Sequence, residues 1–189
     1  MARGQKKARQ EGMSIAFLDE SGFMLQPFLS RSWAPKGKTP VVSCWQRHDR
    51  ISAISAITLA PRYERFGLYF RLYGRNITFQ EVKDFLRQLH YILRRKILLV
   101  LDNYSAHKKA VRLLTQEHPD WFEVEWLPGY APDLNPVEGV WGHTKCADLA
   151  NFPFEDVSEL GVAVSESLGS LRHRADLLRS FFKCAGLEI

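Results

Sequence analysis

The feature that most constrains the fold is a run of five apolar residues, Ile97 to Leu101 (ILLVL), that stops abruptly at Asp102. A short, continuous apolar run of this kind is typical of a strand that is covered on both faces. An earlier run, Ser14 to Asp19 (SIAFLD), has the same character, and the residues after it, Glu20 to Gly22, predict a turn. We therefore expect two central strands of one sheet, each with an aspartate at its end.

The rest of the pattern predicts an α/β fold with a central mixed sheet flanked by helices. Further strands are predicted over residues 50–58, 68–73 and 122–127, and helices over residues 78–95, 106–116, 136–149 and much of 154–184. In sheets of this kind, ligands bind beyond the carboxyl ends of the central strands. Both aspartates are predicted to lie there.

Length and charge indicate one domain with a basic end. The 189 residues predict a basic N-terminal segment (residues 1–13), expected to be solvated, and a single domain over residues 14–189 with a helical C-terminal part. The net charge of +5 is compatible with a polyanionic partner. No apolar stretch approaches the roughly 20 residues of a membrane span, and no export signal is recognisable. Three widely spaced cysteines (Cys44, Cys146 and Cys184) argue against a disulfide framework, so a cytoplasmic protein is expected.

Three carboxylates are the main candidates for chemistry. Asp19 and Asp102 follow the two apolar strands, and Glu138 comes just after the proline-rich stretch of residues 128–136. Carboxylates that converge on one point repel one another unless a cation lies between them, and Mg²⁺ takes such oxygen ligands. Two such ions stabilise the attacking and leaving oxygens of a phosphoryl displacement.

Each carboxylate also has a purely structural interpretation. An aspartate after a strand is commonly a turn former or a helix cap. Asn135, Pro136 and Glu138 form the pattern of a capping box, which accounts for Glu138 without any metal. Glu20 adjoins Asp19 but faces the other side of a continuing strand, so it is not included in the predicted site.

Three blocks of sequence carry a family resemblance. They are LDESGF (residues 18–23), LDNYSAHK (residues 101–108) and LPGYAPDLNPVEGVWGHTK (residues 127–145). Together they resemble the DDE-type transposases of bacterial insertion sequences related to the mariner elements, over about residues 3–150. Thirty-five residues separate Asp102 from Glu138, which is the mid-thirties spacing of that family. The resemblance implies a ribonuclease-H-like fold on which Asp19, Asp102 and Glu138 bind two Mg²⁺ or Mn²⁺ ions.

The implied function is metal-dependent DNA cleavage at transposon ends, followed by strand transfer into target DNA. The implied setting is bacterial and nucleoid-associated, with a homodimer on DNA. Two alternatives remain open: an inactive DNA-binding or assembly module of the same fold, and a general ribonuclease-H-like nuclease without joining activity. Proteins of this kind usually carry helix-turn-helix modules before the catalytic domain, whereas here Asp19 follows only eighteen residues. A catalytic-domain fragment, the second frame of a split gene and a decayed copy are all compatible with this.

Basic residues near the three blocks are candidate DNA contacts. Lys108, Lys109 and Arg112 follow the second aspartate, and Lys145 lies two helical turns after Glu138. A basic rim positions a DNA backbone without reading its sequence. The alternative for each is a solvated surface side chain. A further basic segment contains Arg47, His48 and Arg50.

Three other residues of the blocks have less specific predictions. His107 is expected to make local hydrogen bonds, with a phosphate contact as the alternative. Asn103 is expected either near the metals or as a helix cap, and Trp141 in the core.

Overall fold

The computed structural model describes residues 2–39, 41, 49–62, 64–129, 131–187 and 189, and its centre is a five-stranded mixed sheet. The strands lie in the order β3-β2-β1-β4-β5. The pairs β1–β2 and β2–β3 are antiparallel, and the pairs β1–β4 and β4–β5 are parallel. The strands are β1 (Ser14–Met24), β2 (Arg50–Leu59), β3 (Phe66–Tyr73), β4 (Ile97–Leu101) and β5 (Phe122–Trp126).

Helices cover both faces of the sheet. Helices α2 and α3 pack on one face, and α4, α5, α6 and the short α1 pack on the other. A 3₁₀ turn (Pro132–Leu134) precedes α4, and a π-helical turn (Thr144–Asp148) follows it. The helices are α1 (Ala2–Glu11), α2 (Phe79–Leu93), α3 (Ser105–Glu117), α4 (Pro136–His143), α5 (Val157–Leu171) and α6 (Ala175–Cys184).

The element types and the central position of β1 and β4 are as predicted, but the predicted turn after Asp19 is wrong. Strand β1 continues to Met24, because β2 is long enough to pair with it from Ile15 to Met24. Ser21 and Gly22, whose local preference is for a turn, are held extended opposite Ala53 and Ser52 by this ladder. Glu20 is therefore a strand residue, on the opposite face from Asp19.

The start of helix α2 is determined by its local sequence. Oε2 of Glu81 accepts a hydrogen bond from the Thr78 backbone N–H at 2.9 Å, and Oγ of Thr78 accepts one from the Gln80 N–H at 3.2 Å. Together with the Thr78 side chain, Glu81 thus forms a capping box at the start of the helix. The apolar side chains Val82, Phe85, Leu86 and Leu89 are buried against the sheet, so α2 lies beside α3 on the face that carries Ala16 and Leu18 of β1.

The N-terminal segment is not a solvated tail over its described residues, which corrects that prediction. Residues 2–11 form α1, and Ala8 of this helix is fully buried against the sheet. Nζ of Lys7 lies 2.6 Å from Oε1 of Glu123, which also contacts Lys96 at 3.0 Å. Surface ion pairs contribute little to stability, and the buried Ala8 adds an apolar contact between α1 and the core.

Among the described residues, no helix is long and apolar enough to span a membrane. Cys146 and Cys184 are free thiols. Cys44, Arg47 and His48 lie outside the described residues.

Candidate active site

The three predicted carboxylates line one cavity of about 430 Å³. Asp19 lies in β1, Asp102 directly follows β4, and Glu138 is in the first turn of α4. Because β1 and β4 are parallel neighbours, their carboxyl-terminal ends lie at the same edge of the sheet. The remaining lining comes from the loops after β4 and β5, namely Asn103, Tyr104, Leu127, Pro128, Gly129, Ala131, Pro132 and Asn135.

Asp19 is the most buried of the three carboxylates. Its Oδ1 accepts a hydrogen bond from the Glu20 backbone N–H at 2.8 Å, and its Oδ2 accepts one from Nε1 of Trp141 at 3.3 Å. Burial, reinforced mainly by the negative charge of Glu138 and less by those of Glu20 and Asp102, raises the pKa of Asp19 to about 7. Asp19 is therefore harder to ionise in this cavity than an aspartate in water, first because it is buried and second because Glu138 is close to it.

Asp102 is oriented through one oxygen. Its Oδ1 accepts a hydrogen bond from the Tyr104 backbone N–H at 3.0 Å and lies 2.6 Å from Nδ1 of His107. Asn103 does not cap α3: its Nδ2 donates to the carbonyl of Leu127 at 2.8 Å. This bond ties the loop after β4 to the end of β5, which fixes the floor of the cavity.

The structure contradicts the capping-box explanation of Glu138. The Asn135 backbone N–H, which a capping-box glutamate would accept, donates instead to the carbonyl of Pro132 at 2.8 Å. Oδ1 of Asn135 caps α4 by accepting from the Val137 N–H at 3.2 Å. The exposed Glu138 side chain is therefore not needed to begin the helix.

The role of Glu20 was not predicted from the sequence, and His107 was predicted to make local hydrogen bonds without named partners. Nε2 of the fully buried His107 lies 2.8 Å from Oε2 of Glu20, while Nδ1 contacts Asp102. Burial lowers the pKa of His107, but the hydrogen bonds and charges of Glu20 and Asp102 raise it by more, so the net shift is upward. A signal was present in the sequence: His107 begins the buried stripe of α3, spaced three, four and seven residues before Ala110, Val111 and Leu114.

Trp141 lies in the core, as predicted, and also reaches the site. Its side chain is 3% exposed and packs edge to face on Phe23, with ring centroids 6.0 Å apart. The indole N–H nevertheless meets Asp19. A core residue thus holds one of the three carboxylates in place.

The predicted basic contacts are spread around the site. Nζ of Lys145 donates to Oγ of Ser21 at 2.7 Å, and burial lowers its pKa against the opposing charges of Glu138 and Asp19. Lys108 lies over the Trp126 ring, Lys109 lies over the Phe79 ring, and Arg112 is exposed on α3. None of the four is among the described residues that line the acidic cavity.

Within the described part of the chain, no three histidine, cysteine, aspartate or glutamate side chains lie close enough together to hold a metal ion as they stand. The carboxylates around the cavity nevertheless offer only oxygen ligands, and burial together with the negative charge of Glu138 raises the pKa of Asp19. Such a set fits a hard divalent cation.

A mixed sheet in this order, flanked by helices and with acidic side chains in β1 and directly after β4, defines a ribonuclease-H-like domain. Residues 14–161 match the family model described as DDE superfamily endonuclease, and the chain belongs to that family. The predicted DDE family and the predicted ribonuclease-H-like fold are thus confirmed.

Solved structures of Mos1 transposase have the same fold. The mariner Mos1 paired-end complex with Mg matches with a TM-score of 0.60 and 17% identity, over 96% of this chain and 57% of that chain. The Mos1 strand transfer complex matches with a TM-score of 0.57 and 18% identity, over 98% of this chain and 57% of that chain. The chain thus spans less than two thirds of the length of the Mos1 chains. No curated protein sequence matches it.

Proposed function

We propose that this domain is the catalytic domain of a transposase, which cuts DNA at transposon ends and joins the freed end to target DNA. The observation that carries the proposal is the cavity shared by Asp19, Asp102 and Glu138, in which burial and the neighbouring negative charges raise the pKa of Asp19. Family membership supports DNA cleavage. Joining is supported by the fold shared with Mos1, which has been solved as a strand transfer complex.

Asp19, Asp102 and Glu138 would hold two divalent cations, Mg²⁺ or Mn²⁺. Mos1 complexes with Mg and with Mn are among the similar structures. When bound, such cations neutralise the carboxylates and stabilise charge on the reacting phosphate. The protein's own part is orientation: Trp141 and the Glu20 N–H hold Asp19, while His107 and the Tyr104 N–H hold Asp102.

The chemistry needs no nucleotide cofactor. In the cleavage step, water attacks the phosphorus and the bond to the 3′ oxygen breaks, which leaves a 3′-hydroxyl. In the joining step, that hydroxyl attacks a target phosphodiester and a target oxygen leaves. Each step exchanges one P–O bond for another.

The DNA would be held through its phosphates. Lys145 is the first proposed phosphate contact, since its charge interacts with those of Asp19 and Glu138. The other proposed contacts, on α3, are Lys108, Lys109 and Arg112. A homodimer on DNA is part of the proposal, since the Mos1 structures include paired-end complexes. The proposed location is the bacterial nucleoid.

The test is nicking of supercoiled plasmid with Mg²⁺ or Mn²⁺ by the wild type and by Asp19→Asn, Asp102→Asn and Glu138→Gln. We expect metal-dependent nicking by the wild type and its loss in all three variants. Asp133→Asn, an exposed carboxylate in the proline-rich turn, is the matched control and should keep full activity. Nicking by any of the three triad variants at the wild-type rate would remove that residue from the mechanism.

A second assay separates joining from simple hydrolysis. A labelled oligonucleotide with a free 3′-hydroxyl is offered together with target plasmid, and the covalent product is measured. Capture of the oligonucleotide supports a transposase. Nicking without capture would indicate a general nuclease, and neither activity, with DNA binding retained, would indicate an inactive assembly module.

A further inference from the structure

Three side chains of the site, Asp102, His107 and Glu20, are linked in a row by close polar contacts. Nδ1 of His107 lies 2.6 Å from Oδ1 of Asp102, and Nε2 lies 2.9 Å and 2.8 Å from the two carboxylate oxygens of Glu20. His107 belongs to α3, Glu20 to β1, and Asp102 to the loop between β4 and α3. A buried histidine thus links two carboxylates that are 82 positions apart in the sequence.

The two contacts of His107 determine which atoms donate. Carboxylate oxygens only accept hydrogen bonds, so a ring that serves both Asp102 and Glu20 donates through both nitrogens. This makes the ring a fixed donor to Oδ1 of Asp102, beside the Tyr104 N–H. Because both hydrogen bonds that Asp102 accepts go to Oδ1, its Oδ2 is the oxygen left for the cavity.

Glu20 connects both aspartates of the proposed triad. Its backbone N–H donates to Oδ1 of Asp19 at 2.8 Å, and its side chain holds the histidine that holds Oδ1 of Asp102. Consecutive strand residues point to opposite faces, so Asp19 faces the cavity while Glu20 reaches under the sheet to α3. This arrangement depends on the continuation of β1 past Asp19, because the continued strand directs the Glu20 side chain to the face opposite Asp19.

We infer that His107, anchored by Glu20, is a positioning residue that fixes the carboxylate of Asp102 with Oδ2 towards the metal-binding cavity. The inference rests on the proposed function, since it assigns a role towards the metals that Asp102 would hold. Partners that orient a metal-ligating group typically change metal affinity by about 10- to 100-fold when they are lost.

The decisive comparison uses two neutral amides in place of His107. In His107→Asn the amide nitrogen stands near the position of Nδ1, so the bond to Asp102 is kept and the bond to Glu20 is lost. In His107→Gln the amide reaches the position of Nε2, so the bond to Glu20 is kept and the bond to Asp102 is lost. Both variants remove the imidazole and each keeps one of its two hydrogen bonds, so the direction of any difference between them shows which bond matters for the metal site.

The primary readout is Mn²⁺ affinity measured by calorimetry on the protein without DNA. We expect the Gln variant to bind Mn²⁺ at least about 10-fold more weakly than the Asn variant, with the same order in nicking rate at fixed Mn²⁺. Equal affinity in the two folded variants would overturn the inference. His90→Asn and His90→Gln form the control pair on α2, away from the cavity, and should not differ from each other.

A second readout uses the wild type, so it does not depend on the variants folding. Ring ¹⁵N–¹H signals of His107 are recorded before and after addition of Mg²⁺. A shift of the Nδ1–H resonance on Mg²⁺ binding supports the link to Asp102, and an unchanged resonance at saturating Mg²⁺ contradicts it.

Asp102→Asn separates this inference from the proposed function. If that variant binds Mn²⁺ and nicks DNA as the wild type does, the proposed metal site is wrong, whatever His107 does. If that variant loses both properties while the two His107 variants behave alike, only the inference about His107 is wrong.

Discussion

The indole Nε1 of Trp141 donates a hydrogen bond to Oδ2 of Asp19 across 3.3 Å, which links α4 to the central strand of the sheet. The same indole is packed in the core against Phe23. A change in the core is therefore coupled to the orientation of the most buried carboxylate of the site.

Trp141→Phe tests this coupling. The phenyl ring keeps most of the apolar packing but removes the N–H, so we expect a loss of about 1–2 kcal/mol in the free energy of unfolding. Nicking should fall by about 10-fold, since Asp19 loses one of its two donors. Trp121→Phe is the matched control because Trp121 stacks between His90 and His118, away from the cavity. An equal loss of nicking in the control would show that general destabilisation is responsible.

Asp19→Asn should change the pH dependence of stability in the metal-free protein. The folded protein holds the pKa of Asp19 at about 7, above its ordinary value of 3.8, so the folded state resists ionisation. Stability is therefore lost as the pH rises between these two values, and the loss is complete above the folded pKa. At about 1.4 kcal/mol per pKa unit, the effect is a few kcal/mol at most.

The variant removes that penalty. Urea unfolding with a chelator present should show that Asp19→Asn gains stability relative to the wild type between about pH 5 and about pH 8. Asp133→Asn, at an exposed carboxylate, should follow the wild type. A constant difference between Asp19→Asn and the wild type across this range would contradict the raised pKa.

Glu138→Gln separates catalysis from helix capping. Because Asn135 caps α4 and its own N–H is bonded to Pro132, we expect the variant to unfold within about 0.5 kcal/mol of the wild type while it loses nicking. Asn135→Ala removes the cap of α4, so we expect it to lower the free energy of unfolding by about 1 kcal/mol. A clear loss of stability in Glu138→Gln would restore the capping explanation.

Much of this fold could be predicted from the sequence because the signals are local. The ILLVL run, the capping box at Thr78 and the apolar stripe of α2 each specify an element without reference to distant residues. Parallel placement of β1 and β4 then brings Asp19 and Asp102 to one edge. The central position of β1 and β4 follows from these few rules.

The errors occurred where distant partners override local preference. Ser21 and Gly22 favour a turn, but β2 pairs with them and keeps the strand extended. Glu138 fits a capping box by spacing, but the 3₁₀ turn at Pro132 takes the N–H that the box needs. Glu20 was excluded from the predicted site because it faces the other side of the strand from Asp19, and the structure agrees with that placement. No local signal shows that His107 lies on that other side and contacts Glu20.

DNA affinity should be sensitive to salt and nearly independent of sequence, because the proposed contacts are to phosphates. Lys145→Gln should weaken binding equally for different DNA sequences and reduce the slope of log affinity against log salt by about 0.9. Lys96→Gln is the control, since Lys96 precedes β4 at the end of the strand opposite Asp102. Binding measured by fluorescence anisotropy over a salt series decides this. Strong preference for one DNA sequence by this chain would contradict a purely phosphate-based contact.

The most direct test of the central claim is the effect of Mn²⁺ on the free energy of unfolding, measured for the wild type and for Asp102→Asn. If Asp19, Asp102 and Glu138 share a metal site, Mn²⁺ at about ten times its dissociation constant should stabilise the wild type by about 1.4 kcal/mol. Asp102→Asn should lose most of that gain, because a ligand is missing while the metal-free fold has one repelling charge fewer. No stabilisation of the wild type up to roughly tens of millimolar Mn²⁺, or equal stabilisation of both proteins, would contradict the account.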